Sequence, residues 1–391
     1  MILKSLAATV LVAALLIPAA CSREAEDKST LVLSYGRMFP AHLATLEELL
    51  ERFQGRHPDI RVVLHPLPPV TDLQRVFYLQ SFTAKSRFID VFEVDVIWTA
   101  ELAAAGVLMP TEGRVPPERF DSFEQITIEG ASYDGKIVAV PAFPAVSLLF
   151  YRKDLLDKYN EEPPGTFKRL AELAVKIGRA ENIHGFVWQG DMYEGLVCNF
   201  MEYYRGHGGS VQILEKGVRL DEKAAIAALK FMKDLMASGA SPEDILGFKE
   251  MDSRREFLDG EAVFARGWDD LAAMVEDSGS SVAGKVGIIP LPRFEGHPAV
   301  PTVGGWMLGV NARTLYPDAA WKLVNFLSEA RSQKALAEHL GRLPADRSVP
   351  IPDRPGIEGE EHVVEVLKYG KLRPISPYYH DLSLILQDEI H

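Results

Sequence analysis

Carboxylates and aromatic rings are the groups in this sequence whose types and spacing point to ligand chemistry. Asp95 lies in the run Asp90-Val91-Phe92-Glu93-Val94-Asp95-Val96-Ile97-Trp98, at a strand end, where open α/β sheets gather ligand-binding groups. A carboxylate there either accepts hydrogen bonds from hydroxyls or caps the helix that follows. Trp188, Tyr193 and Glu194 share one stretch, Trp188-Gln189-Gly190-Asp191-Met192-Tyr193-Glu194-Gly195-Leu196, near glycines that let backbone approach closely. Aromatic faces offer apolar area to the C–H faces of a sugar ring while their neighbours make hydrogen bonds. Tyr193 and Glu194 are the candidates; Trp188 reads at least as well as packed loop core. Arg75 and Gln80, on the helix before Asp95, are further candidates, although an exposed helix face accounts for them almost as well. Asp95, Glu194 and Asp270 also suggest a secreted glycosidase, which needs two carboxyls about 5 to 9.5 Å apart across one bond. None of the three sits in a catalytic motif, and HExxH, GxSxG, P-loop and dinucleotide fingerprints are absent. His184, His207 and His339 lack metal-ligand spacing. No catalytic residue, cofactor or metal is expected.

These residues need elements to hold them. Residues 31–35 form an apolar strand, and Leu43, Leu46, Leu49, Leu50 and Phe53 follow at helical spacing. His57-Pro58-Asp59 ends that helix before a strand over 60–64. Such a β-α-β unit implies a parallel sheet with a right-handed crossover. Asp134-Gly135 marks a tight hairpin turn. The apolar run 137–150 after it is interrupted by Pro141 and Pro144, which cannot donate to a ladder. It reads as a broken strand that leaves one sheet near Ala142 and enters a second near Val146; an edge strand with a proline bulge fits about equally. Thr166 is placed to cap a helix carrying Leu170, Leu173, Ala174 and Ile177. Further helices are expected over 223–237, over 253–259 with a stop at Gly260, over 317–327, and from near Ser332.

Several phrases along the chain resemble the extracellular solute-binding proteins of ABC importers, in particular the family 1 sugar binders of the trehalose/maltose-binding branch. YDGKIVAVPAF…LLFYRKDLL resembles the first crossover between the two lobes of such proteins, with an aromatic at Phe143. The segment around Asp95 is similar to a family segment whose second acid lies at the cleft. The WQG..YEGL phrase over 188–196 marks the trehalose/maltose branch. Residues 261–268 look like the second crossover, a strand ending in a cleft tryptophan, Trp268, and Gly287-Ile288-Ile289-Pro290-Leu291-Pro292 then looks like a return to the first lobe. In the relatives, the tryptophan of the Gly304-Gly305-Trp306 turn stacks on sugar, and the glycine before it offers a backbone contact. Arg373, in Arg373-Pro374-Ile375-Ser376-Pro377-Tyr378-Tyr379, resembles a cleft arginine whose planar donors suit paired hydroxyls.

The resemblance implies a periplasmic-binding-protein-like α/β fold: two α/β lobes joined by crossing hinge strands with a ligand cleft between them. The first lobe is expected over 31–142 and 265–312, the second over 143–264 and 313–391. It implies binding of a sugar, di- or oligosaccharide, for a membrane permease, by a monomer that performs no reaction. Binding of a non-sugar solute and service to a sensor are the alternatives. The sequence departs from the branch at Ala145, where relatives carry an acid, at 40–44, where another acid is missing, and at Asp270, where an aromatic is usual. The chain ends at His391, before a further helical segment such proteins usually carry.

The N-terminus agrees with an extracytoplasmic destination. Lys4 precedes an apolar run over 6–17, too short for a stable membrane span, and Ala19-Ala20-Cys21 fits lipoprotein processing with Cys21 as the acylated residue. Residues 1–20 then read as signal peptide and 21–30 as a tether. Cys198, the other cysteine, is left without a disulfide partner and reads as a small buried hydrophobe. The net charge of −13 becomes −14 when Lys4 is removed with the signal, which argues against nucleic acid as a partner. The length exceeds what one core usually serves, so two domains are expected.

Overall fold

A computed structural model describes residues 28–36, 40–68, 71–84, 86–214, 217–277, 279–352, 356–359 and 362–391. The expected signal peptide, Cys21 and most of the expected tether lie outside them. Among the described residues, no helix is long and apolar enough to cross a membrane. The main strands are β1 (Ser29–Gly36), β2 (Ile60–Leu67), β3 (Val91–Asp95), β4 (Val140–Arg152), β5 (His184–Val187), β6 (Ala262–Trp268), β7 (Val286–Pro290) and β8 (Thr302–Val310).

Two strand arrays share β4. In the first, β1 pairs in parallel with β2 and β3, as the opening β-α-β pattern implies. β8 then runs antiparallel to β3 on one side and to β4 on the other. In the second, β4 is flanked by antiparallel β6 and β7, and β5 lies parallel to β6. β4 pairs with β8 up to Val146 and with β6 from Ser147 onward.

The sequence suggested a broken strand or a proline bulge, and the strand is continuous with features of both. It enters the second array at Ser147, as expected near Val146, but leaves the first only at Val146 rather than near Ala142. The pairing skips Ala142 between Phe143↔Trp306 and Pro141↔Met307, a bulge that absorbs one residue. Near the prolines β4 has a neighbour on one side only, so their missing N–H groups leave no partner unmet. Where β4 changes neighbours, side chains take over from the ladder. Val146 N donates to Asp269 Oδ1 at 2.8 Å, and Thr302 N donates to Ser147 Oγ at 2.9 Å.

Helix packing follows the two arrays. The helix Pro40–Arg56 buries Leu46, Leu49, Leu50 and Phe53 against the first. Thr166 caps Phe167–Glu181 by accepting from Arg169 N, and that helix buries Leu170, Leu173, Ala174 and Ile177 against the second.

Three expectations about the placement of elements are corrected. The segment around Gly287 does not return to the first array, because β7 pairs with Leu148–Arg152 of β4; the return comes with β8. β6, expected to end in the first lobe from residue 265, pairs throughout with second-array strands. The helices Pro317–Ser328 and Ala330–Leu340, expected in the second lobe, pack on the first: Ala320, Leu323, Val324 and Leu327 share a cluster with Leu31, Leu33 and Phe53. An amphipathic pattern reveals that a helix has a buried face, not which sheet covers it.

Candidate functional site

Asp95 ends β3 and sits in register with Trp306 of β8, which is in turn opposite Phe143 of β4. Its Oδ1 accepts from Ile97 N at 3.2 Å and so caps the short 3-10 turn Val96–Trp98. The capping role read from sequence is therefore present, and the same Oδ1 lies 3.7 Å from Arg373 Nη2. Burial pushes the Asp95 carboxyl up to about 6, with Arg373 opposing the shift. Trp306 is partly exposed and rests edge-on against the buried Trp98 at 5.9 Å.

Trp268 ends β6 beside that strand. A Cβ at Gly304 would lie 3.6 Å from Trp268 Cη2 and 3.4 Å from Arg373 Nη2, ordinary contact distances that place the Gly304 backbone against both groups. The ring of Trp268 carries the Arg266 guanidinium at 4.2 Å. Arg266 is fully buried and held by Glu202 at 2.6 Å, with Gln189 Oε1 accepting from it at 3.2 Å. Gln189 also donates to Ser253 Oγ and to the Arg266 carbonyl. The WQG phrase is thus explained as foundation: Trp188 is fully buried with its Nε1 on Ser241, and Gln189 lies beneath the Trp268 shelf.

Arg373 closes the group. Its Nη1 donates to Glu194 Oε1 at 2.6 Å and to Cys198 Sγ at 3.3 Å, while its Nε is buried with no hydrogen-bond partner. Burial works against its charge, yet Cys198, Glu194, Tyr379 and Asp95 outweigh it and hold the guanidinium well above its ordinary value. Burial pushes the Cys198 thiol up to about 12, so it stays protonated and unreactive.

The structure brings Asp95, Trp268, Trp306 and Arg373 together around Gly304-Gly305. Other candidates stand differently. Glu194, expected to accept from ligand hydroxyls, has both oxygens engaged by protein: Oε1 by Arg373 and Tyr379, Oε2 by Ser383. Tyr193 gives its hydroxyl to Glu250 Oε2 at 2.6 Å. Phe143, expected as a cleft aromatic, packs in the first-array core under the Arg342 guanidinium, 3.7 Å from its centroid. Arg75 is tied to Glu101 through two hydrogen bonds, and Gln80 is exposed. Asp270 pairs with Arg254 at 2.6 Å, both buried, so the three acids weighed for hydrolysis are not a free catalytic set.

Sequence reasoning did not single out Asp72 and His380, two groups whose titration is shifted near the site. Burial raises the Asp72 carboxyl, helped by nearby Glu194, and burial lowers the His380 imidazole, helped by Arg75. Each influences the other electrostatically, Asp72 from the start of the helix Thr71–Thr83 and His380 from the start of Tyr379–Ile390. Asp72 reads in the sequence as an ordinary acid in a first helical turn, which gave no signal of a site.

Gly305 has φ +133°, and a Cβ there would lie 2.6 Å from the Phe143 carbonyl oxygen. Gly305→Ala is expected to cost about 1–3 kcal/mol, plus distortion of the adjoining Trp306. Denaturant unfolding measures the loss, and an unchanged midpoint would show that the turn relaxes freely.

A family described as bacterial extracellular solute-binding protein matches residues 39–334. A probable ABC transporter-binding protein of Deinococcus radiodurans is 32% identical over 283 residues, 71% of this chain and 67% of that protein. A maltotriose-binding protein of Pyrococcus abyssi is 25% identical over 366 residues, 91% of this chain and 76% of the relative. The solved structure of maltose-bound T. maritima MalE3 is 36% identical and superposes with a TM-score of 0.85, covering 93% of this chain and 94% of that one.

Proposed function

Because this chain belongs to the bacterial extracellular solute-binding proteins, extracytoplasmic binding proteins rather than enzymes, we propose that it captures a di- or oligosaccharide for an ABC importer. The observation that carries this reading is the meeting of Trp268, Trp306, Arg373 and Asp95 around the bare backbone of Gly304-Gly305. Two rings supply apolar faces for sugar C–H groups, while a carboxylate and a guanidinium supply an acceptor and planar donors for hydroxyls. The maltose and maltotriose named for two of the relatives make α-linked glucosides the first ligands to test.

In this reading the first lobe is the array of β1, β2, β3 and β8 with its helices, and the second is the array of β5, β6 and β7. β4 passes between them at Val146–Ser147, and residues 291–301 form another passage. Ligand contacts drawn from both lobes stabilise a closed state that a permease recognises. The chain acts as a monomer held to the membrane by lipid on Cys21. Arg75, Tyr193, Glu194 and Phe143 support the site rather than touch the sugar.

The test is fluorescence titration of the chain from Ser22 onward with maltose, trehalose, sucrose, glucose and longer glucans, checked by calorimetry. Saturable binding to an α-glucoside supports the reading. A folded protein that ignores all of them overturns it in favour of a non-sugar solute, which would fit the neutral side chain at Ala145.

Asp95 adds a pH signature. Its carboxyl titrates near 3.8 when unfolded and about 6 when folded, so the native state holds the proton more tightly. Stability from this group is full below the lower value and is lost as pH rises through the upper one. Asp95→Asn retains the cap and the neutral charge, so it is expected to stabilise the protein by roughly 3 kcal/mol at pH 7.5, the gain shrinking towards zero near pH 3.8. The same substitution removes a charged acceptor and should weaken sugar binding by about 10- to 100-fold. Wild-type affinity should correspondingly fall as pH drops below about 6, as read by calorimetry at a series of pH values.

A further inference from the structure

We infer that Glu194 is a positioning residue through which the helix Tyr379–Ile390 orders the cleft arginine. This deepens the sugar-binding reading and rests on it. Glu194 starts the helix Glu194–Gly206, where the exposed N–H dipoles favour a carboxylate. It is buried, and each oxygen has a protein donor: Arg373 at 2.6 Å and Tyr379 at 2.7 Å on Oε1, Ser383 at 2.5 Å on Oε2. Ser383 is itself fixed by Gln387, whose Nε2 donates to its Oγ at 2.9 Å. Tyr379, Ser383 and Gln387 line the buried face of one helix, at successive turns.

The consequence falls on Arg373. A guanidinium has a rigid fork of donors, so fixing one arm fixes the others. Glu194 and Cys198 take Nη1, leaving Nη2 against Gly304 and near Asp95, and Nε without a partner. Nη2 is thereby held beside Gly304, close to both the Trp268 ring and Asp95. Charge-assisted hydrogen bonds are short and directional, and the groups that orient a binding residue control affinity without touching the ligand. The C-terminal helix thus acts on the site through two hydroxyls and one carboxylate.

The test uses Ser383→Ala, Tyr379→Phe and Glu194→Gln in the full chain from Ser22, each alone and combined with Arg373→Lys. Maltose affinity is read by calorimetry, and the Arg373 guanidinium by nitrogen-15 arginine NMR, with Arg373→Lys assigning its signals. Each hydroxyl variant is expected to weaken maltose binding roughly tenfold, with no further loss in the Arg373→Lys background. The Arg373 side-chain nitrogen signals, resolved and slowly rotating in the wild type, should broaden or merge in the variants. Two results overturn the inference. In one, the hydroxyl variants lower only the melting temperature and leave affinity and guanidinium signals unchanged. In the other, Glu194→Gln weakens binding equally with and without Arg373, which would make it a direct ligand contact. If the wild type binds no sugar at all, the sugar reading fails, and the guanidinium signals alone decide this inference.

Discussion

Trp268→Ala is expected to weaken sugar binding by about a hundredfold or more while leaving the protein folded. Buried aromatic anchors at binding sites commonly contribute 2 kcal/mol or more, and about 2.7 kcal/mol corresponds to a hundredfold. The ring ends β6 partly exposed, with one face on the Arg266 guanidinium and the Gly304 backbone against its edge. Its removal leaves Arg266 paired to Glu202 and Gln189, so no buried charge is stranded. Trp268→Phe keeps an aromatic face and should recover most of the affinity. Calorimetric titration with the best α-glucoside measures both, and a loss smaller than about threefold for the alanine variant would place the stacking surface elsewhere.

Glu202→Ala should have the largest effect on stability, about 3–5 kcal/mol, because it strands the Arg266 charge in the second core. Both side chains are about 1% exposed, and the carboxylate holds the guanidinium by two hydrogen bonds. Replacing both partners with leucine should be far less damaging than replacing one, since neither leaves an unpaired charge. Urea unfolding of the single and double variants separates the cases. Equal losses would mean that the pair is worth no more than its packing. The double variant should still lose sugar affinity, because it removes the support beneath Trp268.

The relation between sequence and structure is uneven, for identifiable reasons. The opening β-α-β unit, the cap at Thr166 and the strand ending at Asp95 were legible because each rests on local periodicity or a local hydrogen bond. The prolines of β4 announced an interruption, and its form depended on β8, which lies far along the chain. The sheet chosen by the helices Pro317–Ser328 and Ala330–Leu340, and by β7, was not legible, since apolar spacing does not name a partner. At the site, the tryptophans and Arg373 stood out by residue type within recognisable phrases. The roles of Glu194 and Phe143 did not, because a carboxylate satisfied on both oxygens and a ring covered by Arg342 look the same in sequence as ones open to a ligand.

The placement of β8 bears on the order in which the chain acquires structure. As the polypeptide emerges from its N-terminus, β1, β2 and β3 come first, yet their sheet lacks β8 and the helices Pro317–Ser328 and Ala330–Leu340. β4 to β7 form a nearly continuous stretch, and their core is likewise completed by later residues, among them Leu343, Val363, Val366, Leu367 and Leu386. The half made first must therefore wait, its apolar strands uncovered, for residues made much later, and contacts of such long separation in sequence close slowly. The first array is closed only when β8 takes its place between β3 and β4, and the second core only when the segments after it, up to Leu386, have been made.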